Sequence, residues 1–387
     1  IKEKEEFFQL ATYQKMPIAL ERGKGAWVWT SDNERYLDLY GGHAVCATGH
    51  AHPKVIEAIN NQAEKIIFYS NLVYSETRAR ASEKLCSKIK DARYLAFFCN
   101  SGTEANEAAM RIARLVTGKQ EVISFSGSFH GRTADSISAS FLGKYRSLGK
   151  PNVPFHIEAE FGDIDSVKQL LNENTAAIII EPIQSMAGVR ETSPVFFQQL
   201  RELCDQTGVC LIFDEVQTGM GRTGNWFFSG SDLAGGIHAD LITLAKSLGS
   251  GVPVGACLVT EQIAGQIKEN QLGTTFGGGM VAMAAVEATL DVIESENLLE
   301  SAKAFEAYIR EKLGDHHLVK KINGKGCLLG LELKVPAAEI HKKLLEDRII
   351  TGTSSDPNIL RLLPPLVVKP DEAAIFVEAL NIVEALN

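Results

Sequence analysis

The feature that most constrains the fold is a series of five short apolar runs between residues 93 and 260, which alternate with amphipathic stretches. The runs are YLAFFC (94–99), EVISF (121–125), AAIIIE (176–181), VCLIFDE (209–215) and LITLA (241–245). Short runs without polar alternation are typical of parallel strands that helices cover on both faces. The alternation therefore predicts an α/β domain with a mostly parallel sheet.

The segment between the third and fourth runs carries clear signals for both ends of a helix. Ser193-Pro194 combines a capping residue with a proline in the first turn, and Gly208 ends the apolar periodicity that follows. In parallel sheets of this kind, ligands bind outside the carboxyl ends of the strands. Several polar residues of interest fall at these ends.

After about residue 277 the pattern changes, which indicates a second domain. A long helical stretch is followed by shorter strand-like pieces such as GCLLGLEL (326–333). We therefore expect a large domain over 46–276. The N-terminal segment 1–45 and the C-terminal part 277–387 are expected to form a smaller α+β domain.

Composition excludes several classes of protein. A formal net charge of −9 argues against binding to a nucleic-acid backbone, and no apolar run reaches the roughly 20 residues that span a membrane. The N-terminus lacks the apolar core of a signal peptide. Seven scattered cysteines without a C-x-x-C pair favour unpaired thiols in a reducing cytoplasm.

The stretch CNSGTEANEAAMRIAR (99–114) predicts a strand, a tight turn and a helix. Ser101 and Glu104 have the spacing of a capping box, and Gly102 permits a ligand to approach the backbone closely. The free N–H groups of such a helix start suit a phosphate. Any capped helix has the same features, so this segment alone leaves both interpretations open.

Two further strand ends carry reactive side chains. Asp214 ends one apolar run, where a buried carboxylate needs a partner such as a cationic ring nitrogen or a structural ion pair. Lys246 ends the next run, and an apolar setting lowers the pKa of a lysine and makes it a nucleophile toward carbonyls. Together with a phosphate site, these groups predict a ligand with a phosphate, a basic ring nitrogen and a carbonyl. Pyridoxal phosphate has all three.

At this point the sequence resembles the class III aminotransferases of fold type I, and within them the acetylornithine/ornithine aminotransferase group. The resemblance extends over nearly the whole chain. It rests on ALERGKGAWVWTSDNERYLDL (19–39), GHAHPKV (49–55), NSGTEANEAAMRIAR (100–114), SFHGRT (128–133), EPIQ (181–184), FDEVQTGMGRTG (213–224), TLAKSLGSGVPVGA (243–256), TTFGGG (274–279) and LRLLPPL (360–366).

The resemblance implies a set of residues that bind pyridoxal phosphate. Lys246 matches the lysine that binds the cofactor covalently and moves a proton, and Asp214 matches the carboxylate on the ring nitrogen. The other expected cofactor-binding residues are Gln217 near the ring hydroxyl, Ser101, Gly102 and Thr103 at the phosphate, Phe129 and His130 at the ring, and Thr274 and Thr275. Because Thr275 matches a threonine that reaches the phosphate of the neighbouring subunit, the resemblance also implies a homodimer with shared active sites.

The resemblance also implies the residues that bind the substrate. Arg132 matches an arginine that binds the substrate α-carboxylate, and Arg361 matches a second carboxylate-binding arginine, with a structural ion pair as the alternative. Tyr13 matches a tyrosine of the ornithine pocket. We also expect Glu181, Met186 and His43 to contact the substrate; His43 could equally be a packed loop residue.

Two positions depart from the pattern of the family. Many members carry Gly-Glu where this chain has Ser185-Met186, and that glutamate pairs with the second arginine. Ornithine δ-aminotransferases carry a tyrosine where this chain has His43. We interpret both departures as a shift toward N-acylated ornithine, in which Met186 offers an apolar floor and Arg361 receives a succinyl carboxylate.

The implied function is the transfer of the terminal amino group of an N-acetyl- or N-succinyl-L-ornithine to 2-oxoglutarate, with glutamate as a product, in arginine biosynthesis. The main alternative is ornithine δ-aminotransferase. A 4-aminobutyrate or other ω-amino acid transaminase and a non-catalytic relative of the same fold are weaker alternatives. The histidines at 50, 52 and 130 lack a third ligand at a suitable spacing, so we expect no metal site.

Overall fold

The computed structural model describes residues 1–384. It contains fifteen strands in that range. They are β1 (Leu20–Lys24), β2 (Trp27–Thr30), β3 (Arg35–Asp38), β4 (Tyr94–Cys99), β5 (Glu121–Phe125), β6 (His156–Ala159), β7 (Thr175–Ile180), β8 (Cys210–Asp214), β9 (Leu241–Leu244), β10 (Gly255–Thr260), β11 (Val319–Lys325), β12 (Leu328–Leu333), β13 (Ile349–Ile350), β14 (Gly352–Thr353) and β15 (Ile359–Leu362).

Fourteen helical segments and two short 3₁₀ turns, Asp232–Ala234 and Lys246–Gly249, connect the strands within the same range. The helical segments are α1 (Lys2–Phe8), α2 (Gly41–Ala44), α3 (Pro53–Lys65), α4 (Glu76–Cys86), α5 (Gly102–Thr117), α6 (Ala134–Ser138), α7 (Lys144–Leu148), α8 (Ile164–Leu170), α9 (Pro194–Thr207), α10 (Glu261–Ala264), α11 (Met280–Ser295), α12 (Leu298–Leu313), α13 (Ala337–Glu346) and α14 (Pro370–Glu384).

The five predicted strands all lie in one seven-stranded sheet of order β4-β10-β9-β8-β7-β5-β6. The pairs β6–β5, β5–β7, β7–β8 and β8–β9 are parallel, and only β10 runs against its two neighbours. The prediction of a mostly parallel sheet is therefore confirmed. Strands β6 and β10 were not predicted, and the half-buried edge strand β6 has no continuous apolar run to mark it.

Helix α5 begins, and α9 begins and ends, where the sequence predicts. The Ser101 side chain accepts a hydrogen bond from the Glu104 N–H at 3.3 Å, and α5 ends at Gly118, whose φ of 69° is left-handed. Ser193 caps α9 in the same way, and Gly208 ends it. Small buried residues on α5 let the helix pack closely against the sheet. They are Ala105, Ala108, Ala109 and Ala113.

Two four-stranded sheets flank the central one, in the orders β1-β2-β3-β13 and β11-β12-β15-β14. The parallel pair of β3 with β13 joins residues 37–38 to residues 349–350, so the N-terminal and C-terminal parts of the chain share a sheet. The long helical stretch after residue 277 is broken into α11 and α12 at Asn297, whose φ is 59°. Residues 385–387, the end of the predicted C-terminal domain, lie outside the described residues.

All seven cysteines are unpaired, and five of them are buried. Within residues 1–384, the helices are too short or too polar to cross a membrane.

Candidate active site

The carboxyl ends of β8 and β9 place Asp214 and Lys246 at one edge of the central sheet. Asp214 is the last residue of β8 and pairs with Thr243 of β9, and Lys246 opens the 3₁₀ turn just after β9. The φ of Lys246 is 43°, in the left-handed region. A non-glycine residue held there stores strain, and such strain is concentrated at functional sites.

The Asp214 carboxylate is buried and held by polar groups from three elements. Its Oδ2 accepts hydrogen bonds from Asn106 Nδ2 at 2.7 Å and His130 Nδ1 at 2.8 Å. Its Oδ1 accepts one from the Val216 N–H at 3.1 Å, and the Thr243 hydroxyl lies 3.5 Å away. These bonds fix the direction in which the carboxylate faces a ligand. Such fixed positions favour a site that binds one group in one orientation.

Glu215 lies next to Asp214 but has a structural role. Its carboxyl group is buried and accepts hydrogen bonds from the N–H groups of Phe228 at 2.6 Å and Ser229 at 2.8 Å. Burial, opposed by these two bonds, raises its pKa to about 7. It therefore holds the segment before β9 in place, which leaves Asp214 as the carboxylate for a ligand.

The surroundings of Lys246 favour its uncharged amine, which is the nucleophilic form. Burial lowers its pKa to about 8; the carboxyl groups of Asp214 and Glu181 oppose this shift, and the positive charge of Arg361 adds to it. A free amine near neutral pH is what attack on a carbonyl carbon requires. The sequence prediction that an apolar setting lowers this pKa agrees with the direction of the shift.

The start of α5 has the features of a phosphate site. As its first two residues, Gly102 and Thr103 have N–H groups without an acceptor inside the helix. A Cβ on Gly102 would lie 2.9 Å from the Val216 side chain, so only glycine fits there. The Thr103 hydroxyl lies 2.6 Å from that of Thr133, which adds a second polar group beside the helix end.

Phe129, His130 and Gln217 surround the same sheet edge. The Phe129 N–H donates to Glu181 Oε1 at 2.8 Å, which fixes the backbone at the aromatic residue. Gln217 is buried, and its Oε1 has no hydrogen-bond partner in the described part of the chain. An unpaired buried acceptor is costly unless a ligand donor meets it. The ring hydroxyl of a cofactor is such a donor.

These residues fit pyridoxal phosphate. Asp214 offers an anion for a cationic ring nitrogen, Gln217 an acceptor for the ring hydroxyl, and the start of α5 free N–H groups for the phosphate. Lys246 offers an amine for the aldehyde.

Arg361 is a buried cation with neutral partners. Its guanidinium donates to the Tyr40 hydroxyl at 2.6 Å, the Ser185 hydroxyl at 3.1 Å and the Thr353 carbonyl at 2.7 Å. Both of its side-chain partners are therefore neutral hydroxyl groups. Burial lowers the pKa of Arg361, as expected for a cation without a carboxylate beside it.

Arg132, Tyr13 and His43 lie around the same cleft. The Arg132 guanidinium lies 5.9 Å from the Tyr13 ring and 5.1 Å from the Tyr145 ring, and no carboxylate among the described residues pairs with it. Partial burial and the positive charges of Arg361, Lys246 and Arg132 lower the pKa of His43 to about 4. His43 is therefore neutral near pH 7 and close to both arginines.

Three predicted residues are not joined to this cluster by a hydrogen bond of the described chain. Thr275 is exposed, and the Thr274 hydroxyl accepts hydrogen bonds from Asn100 Nδ2 at 3.3 Å and from the Gly277 N–H at 3.2 Å. Met186 is half-buried, and its carbonyl accepts a bond from the Ser355 N–H. The roles of these residues remain predictions.

Sequence reasoning missed the residues that support the predicted ones: Asn106, Thr243, Tyr40 and Ser185. Asn106 lies on the buried face of α5 among alanines, and a polar residue at such a position signals a specific partner. Thr243 similarly lies inside an apolar strand. Tyr40 gives no signal of this kind, because its contact with Arg361 joins positions 321 residues apart.

Fold and site together define a pyridoxal-phosphate-dependent transferase, and comparison with known proteins narrows the class. The profile of the family "Aminotransferase class-III" matches residues 8–383. The chain therefore belongs to the class III aminotransferases, which depend on pyridoxal phosphate.

Several relatives resemble the chain over nearly its full length. The acetylornithine aminotransferase of Methanosarcina acetivorans is 39% identical over 382 residues, which cover 98% of this chain and 95% of the relative. An ornithine aminotransferase structure from Toxoplasma gondii, with partial occupancy of PLP at its active site, has a TM-score of 0.91 at 28% identity and covers 99% and 94% of the two chains. The acetylornithine aminotransferase structure from Elizabethkingia anophelis has a TM-score of 0.84 at 29% identity, with 99% and 98% covered.

Proposed function

We propose that this enzyme moves the terminal amino group of an N-acyl-L-ornithine to 2-oxoglutarate, in arginine biosynthesis. The products are the N-acyl semialdehyde and glutamate. N-Acetylornithine and N-succinylornithine are the two donors that the sequence favours. The relatives named acetylornithine aminotransferase, at 37–39% identity, support this assignment.

One observation carries the proposal: the charge of the cleft around Lys246. Arg132 and Arg361 have no carboxylate partner among the described residues, and His43 is neutral. The carboxyl group of Glu181 also interacts with Lys246 and Arg361, but burial and the charge of Asp214 raise its pKa well above the usual value and favour its protonated form. Free ornithine would bring a second ammonium group into this setting, at an electrostatic cost. An acyl group removes that charge.

The residues act in the reaction as follows. Asp214 would hold the ring nitrogen, the start of α5 the phosphate, and Gln217 the ring hydroxyl of pyridoxal phosphate, which when bound supplies an electron-withdrawing ring for amino-group transfer. Lys246 Nζ, with a pKa of about 8, can take up and release a proton at the carbon that carries the amino group. Arg132 would bind the donor α-carboxylate.

The second half of the reaction needs a site for both carboxylates of 2-oxoglutarate. Arg361 and Arg132 provide two guanidinium groups for it, and Arg361 is fixed by its three hydrogen bonds. A fixed planar guanidinium suits bidentate carboxylate binding. The pair therefore supports a dicarboxylic amino acceptor.

The test compares N-acetylornithine, N-succinylornithine, ornithine and 4-aminobutyrate as donors with 2-oxoglutarate. We expect kcat/KM for the better acylated donor to exceed that for ornithine by about 10²-fold, as for a difference of roughly 3 kcal/mol. A higher value for ornithine would instead assign the chain to ornithine δ-aminotransferase activity, which the position of Tyr13 beside Arg132 favours. If 4-aminobutyrate gave the highest kcat/KM, both the N-acylornithine and the ornithine assignments would be excluded.

The choice between the two acyl groups is tested at Met186. If the apolar side chain and the carboxylate-free Arg361 favour a succinyl group, N-succinylornithine is the better donor and Met186→Glu lowers its advantage over N-acetylornithine. An unchanged ratio in the variant would contradict this role.

We further propose a homodimer in the cytoplasm, with a large domain over 46–276 and a small domain from 1–45 and 277–387. Large apolar side chains are exposed near Thr275, as expected of an interface with a second copy. They are Ile67, Tyr69, Leu72, Tyr74 and Phe276. Sedimentation of the purified protein tests the dimer. Thr275→Ala should weaken cofactor binding if this threonine reaches the phosphate of the partner subunit.

A further inference from the structure

Residues Gly41–Ala44 form one turn of left-handed helical backbone, which we call the left-handed turn. The φ angles of its four residues are 55°, 60°, 66° and 64°. A left-handed helical conformation is ordinary for glycine, but it is strained for other L-residues, and runs of it are avoided. The first two positions are glycines, whereas His43 and Ala44 both bear side chains. The chain therefore retains strain here that two more glycines would remove.

The structure holds the left-handed turn at both ends. At its start, Asp38 Oδ1 accepts hydrogen bonds from the N–H groups of Tyr40 at 2.9 Å and Gly41 at 2.8 Å. At its end, the Ala44 carbonyl accepts bonds from the Arg222 guanidinium at 3.2 Å and the Ser247 hydroxyl at 2.8 Å. Ser247 directly follows Lys246, so the left-handed turn is fixed to the reactive lysine itself.

Arg222 makes this attachment rigid. Its side chain is completely buried, and its guanidinium also donates to the carbonyls of Pro364 and of Cys327, the latter at 3.3 Å. One buried side chain thus joins the left-handed turn, the segment after Lys246 and the C-terminal part of the chain. Such over-determined contacts are what maintain strained backbone.

The left-handed turn places the His43 ring beside Tyr40. The rings of His43 and Tyr40 are in contact, with centroids 4.8 Å apart, and the Tyr40 hydroxyl binds Arg361. The His43 side chain is partly exposed to solvent, and among the described residues no group is hydrogen-bonded to its ring. With a pKa of about 4, the ring near pH 7 is a neutral donor and acceptor beside two cations. A neutral polar group of a ligand, such as an amide, matches it.

We propose that the left-handed turn determines which amino donor the enzyme accepts, by holding the His43 ring where it hydrogen-bonds the acyl amide of the donor. The inference rests on the proposed function for its donor. It goes further in assigning the selection to a strained backbone element and its anchor, Arg222.

The test uses two variants at position 43 and a control. His43→Asn removes the ring but keeps a residue that tolerates left-handed backbone, whereas His43→Gly removes both the ring and the strain. Ala51→Gly is the control, because Ala51 is another non-glycine residue in left-handed backbone, with a φ of 48°, outside the turn. The measurements are the melting temperature and kcat/KM for the four donors of the proposed-function test.

We expect both His43 variants to lower the preference for the best acylated donor over ornithine by about 10-fold, the effect of one lost hydrogen bond. His43→Gly and Ala51→Gly should raise the melting temperature by about 1–2 °C, and His43→Asn should leave it unchanged. Ala51→Gly should keep the wild-type order of donors.

Two results would overturn the proposal. Retention of the wild-type donor preference in both His43 variants would show that the ring selects nothing. A melting temperature lowered by His43→Gly would show that the left-handed turn is not strained. If ornithine is the best donor of the wild type, the proposed function is wrong. In that case, the left-handed turn still selects the donor if the His43 variants change the order of donors, and it does not if the order stays the same.

Discussion

The active site has two halves that differ in how far the protein completes them. In the anionic half, the carboxylate of Asp214 is satisfied by Asn106, His130 and the Val216 N–H. In the cationic half, formed by Lys246, Arg132 and Arg361, the described residues supply no ionic partner for Arg132 and only neutral partners for Arg361. The anionic half is ready before any ligand binds. The cationic half depends on ligand carboxylates to complete it.

This difference assigns separate tasks to the two halves. A fully bonded carboxylate keeps its position whatever substrate is present, which suits a group that holds a permanent cofactor. Arg361 is a buried cation without a carboxylate partner, which is unfavourable until an anion binds, and Arg132 is exposed to an incoming ligand. Both suit groups that bind and release substrate in turn. Substitution of Asp214 should therefore change cofactor binding, and substitution of an arginine should change substrate binding.

The largest effect is expected at Lys246, where the halves meet. Lys246→Ala removes the amine that we propose binds the cofactor and moves the proton, so kcat should fall by more than about 10⁴-fold. Borohydride reduction of the cofactor-loaded wild type should attach a pyridoxyl group to this residue. Lys168→Ala on the surface is the control. A wild type that acquires no such adduct would favour a non-catalytic relative.

The next effect concerns the anionic half. Asp214→Asn keeps the shape but removes the charge. If the amide oxygen keeps the bonds from Asn106 and His130, the amide NH₂ faces the Val216 N–H, which then has no acceptor. We expect kcat to fall by about 10²–10³-fold and the cofactor dissociation constant to rise by about 10–100-fold, the range of a lost charged hydrogen bond. Asp240→Asn, which removes a carboxylate near the opposite end of β8, should destabilise the protein without weakening cofactor binding. Equal cofactor affinity in both variants would contradict a special role for Asp214.

Substitution of Arg361 in the cationic half should weaken substrate binding rather than cofactor binding. Arg361→Met should raise KM for 2-oxoglutarate by about 10²-fold, because a buried charge partner is worth roughly 2–5 kcal/mol. The cofactor dissociation constant should stay within about 2-fold of the wild type, an energy below 0.5 kcal/mol. Arg348→Met is the control, since its guanidinium pairs with Glu34 at the surface. If Arg361→Met lost the cofactor but kept the wild-type KM for 2-oxoglutarate, Arg361 would hold the cofactor rather than the substrate, and our assignment would be wrong.

The smallest effect concerns the free energy of unfolding, which the buried amine of Lys246 should lower. Burial lowers the folded-state pKa of Lys246 to about 8 from 10.5, so the unfolded chain binds more protons between these values. The resulting penalty is complete below pH 8 and disappears as the pH rises toward 10.5.

Cofactor-free Lys246→Met should therefore unfold with a free energy about 2–3 kcal/mol higher than that of the cofactor-free wild type at pH 7. Urea unfolding from pH 7 to 10.5 measures the difference, which should shrink with rising pH. Lys168→Met should change the free energy by less than about 0.5 kcal/mol. A pH-independent difference would mean that better packing, rather than the amine, explains the gain.

The two residues at strand ends, Asp214 and Lys246, were more predictable from the sequence than the surroundings of the arginines. Asp214 and Lys246 end apolar strands, and the parallel order of β8 and β9 follows from the same apolar runs, so local pattern alone placed the two residues together. The cap at Ser101 is likewise local, and the structure reproduces its first half, because the Ser101 hydroxyl accepts from the Glu104 N–H. The Glu104 carboxylate accepts from the Asn100 N–H and the Ser101 hydroxyl instead of the Ser101 N–H.

The partners of Arg361 were not predictable in this way. Tyr40 and Ser185 reach it across the sheets, over 321 and 176 residues of sequence, and neither has a local pattern that points to a guanidinium. The left-handed conformation of His43 and Ala44 was also hidden, because the sequence GGHA predicts flexibility at its glycines only. Long-range contacts and imposed strain are properties of the fold as a whole.

The central claim is that a cationic cleft with a neutral His43 selects donors that carry no second ammonium group. The most direct test is to titrate the visible spectrum of the cofactor-loaded protein separately with N-succinylornithine, N-acetylornithine and ornithine. The band of the lysine-bound cofactor should disappear at low concentrations of an acylated donor, with ornithine needing about 10²-fold more. Preferential loss of the band with ornithine would contradict the claim.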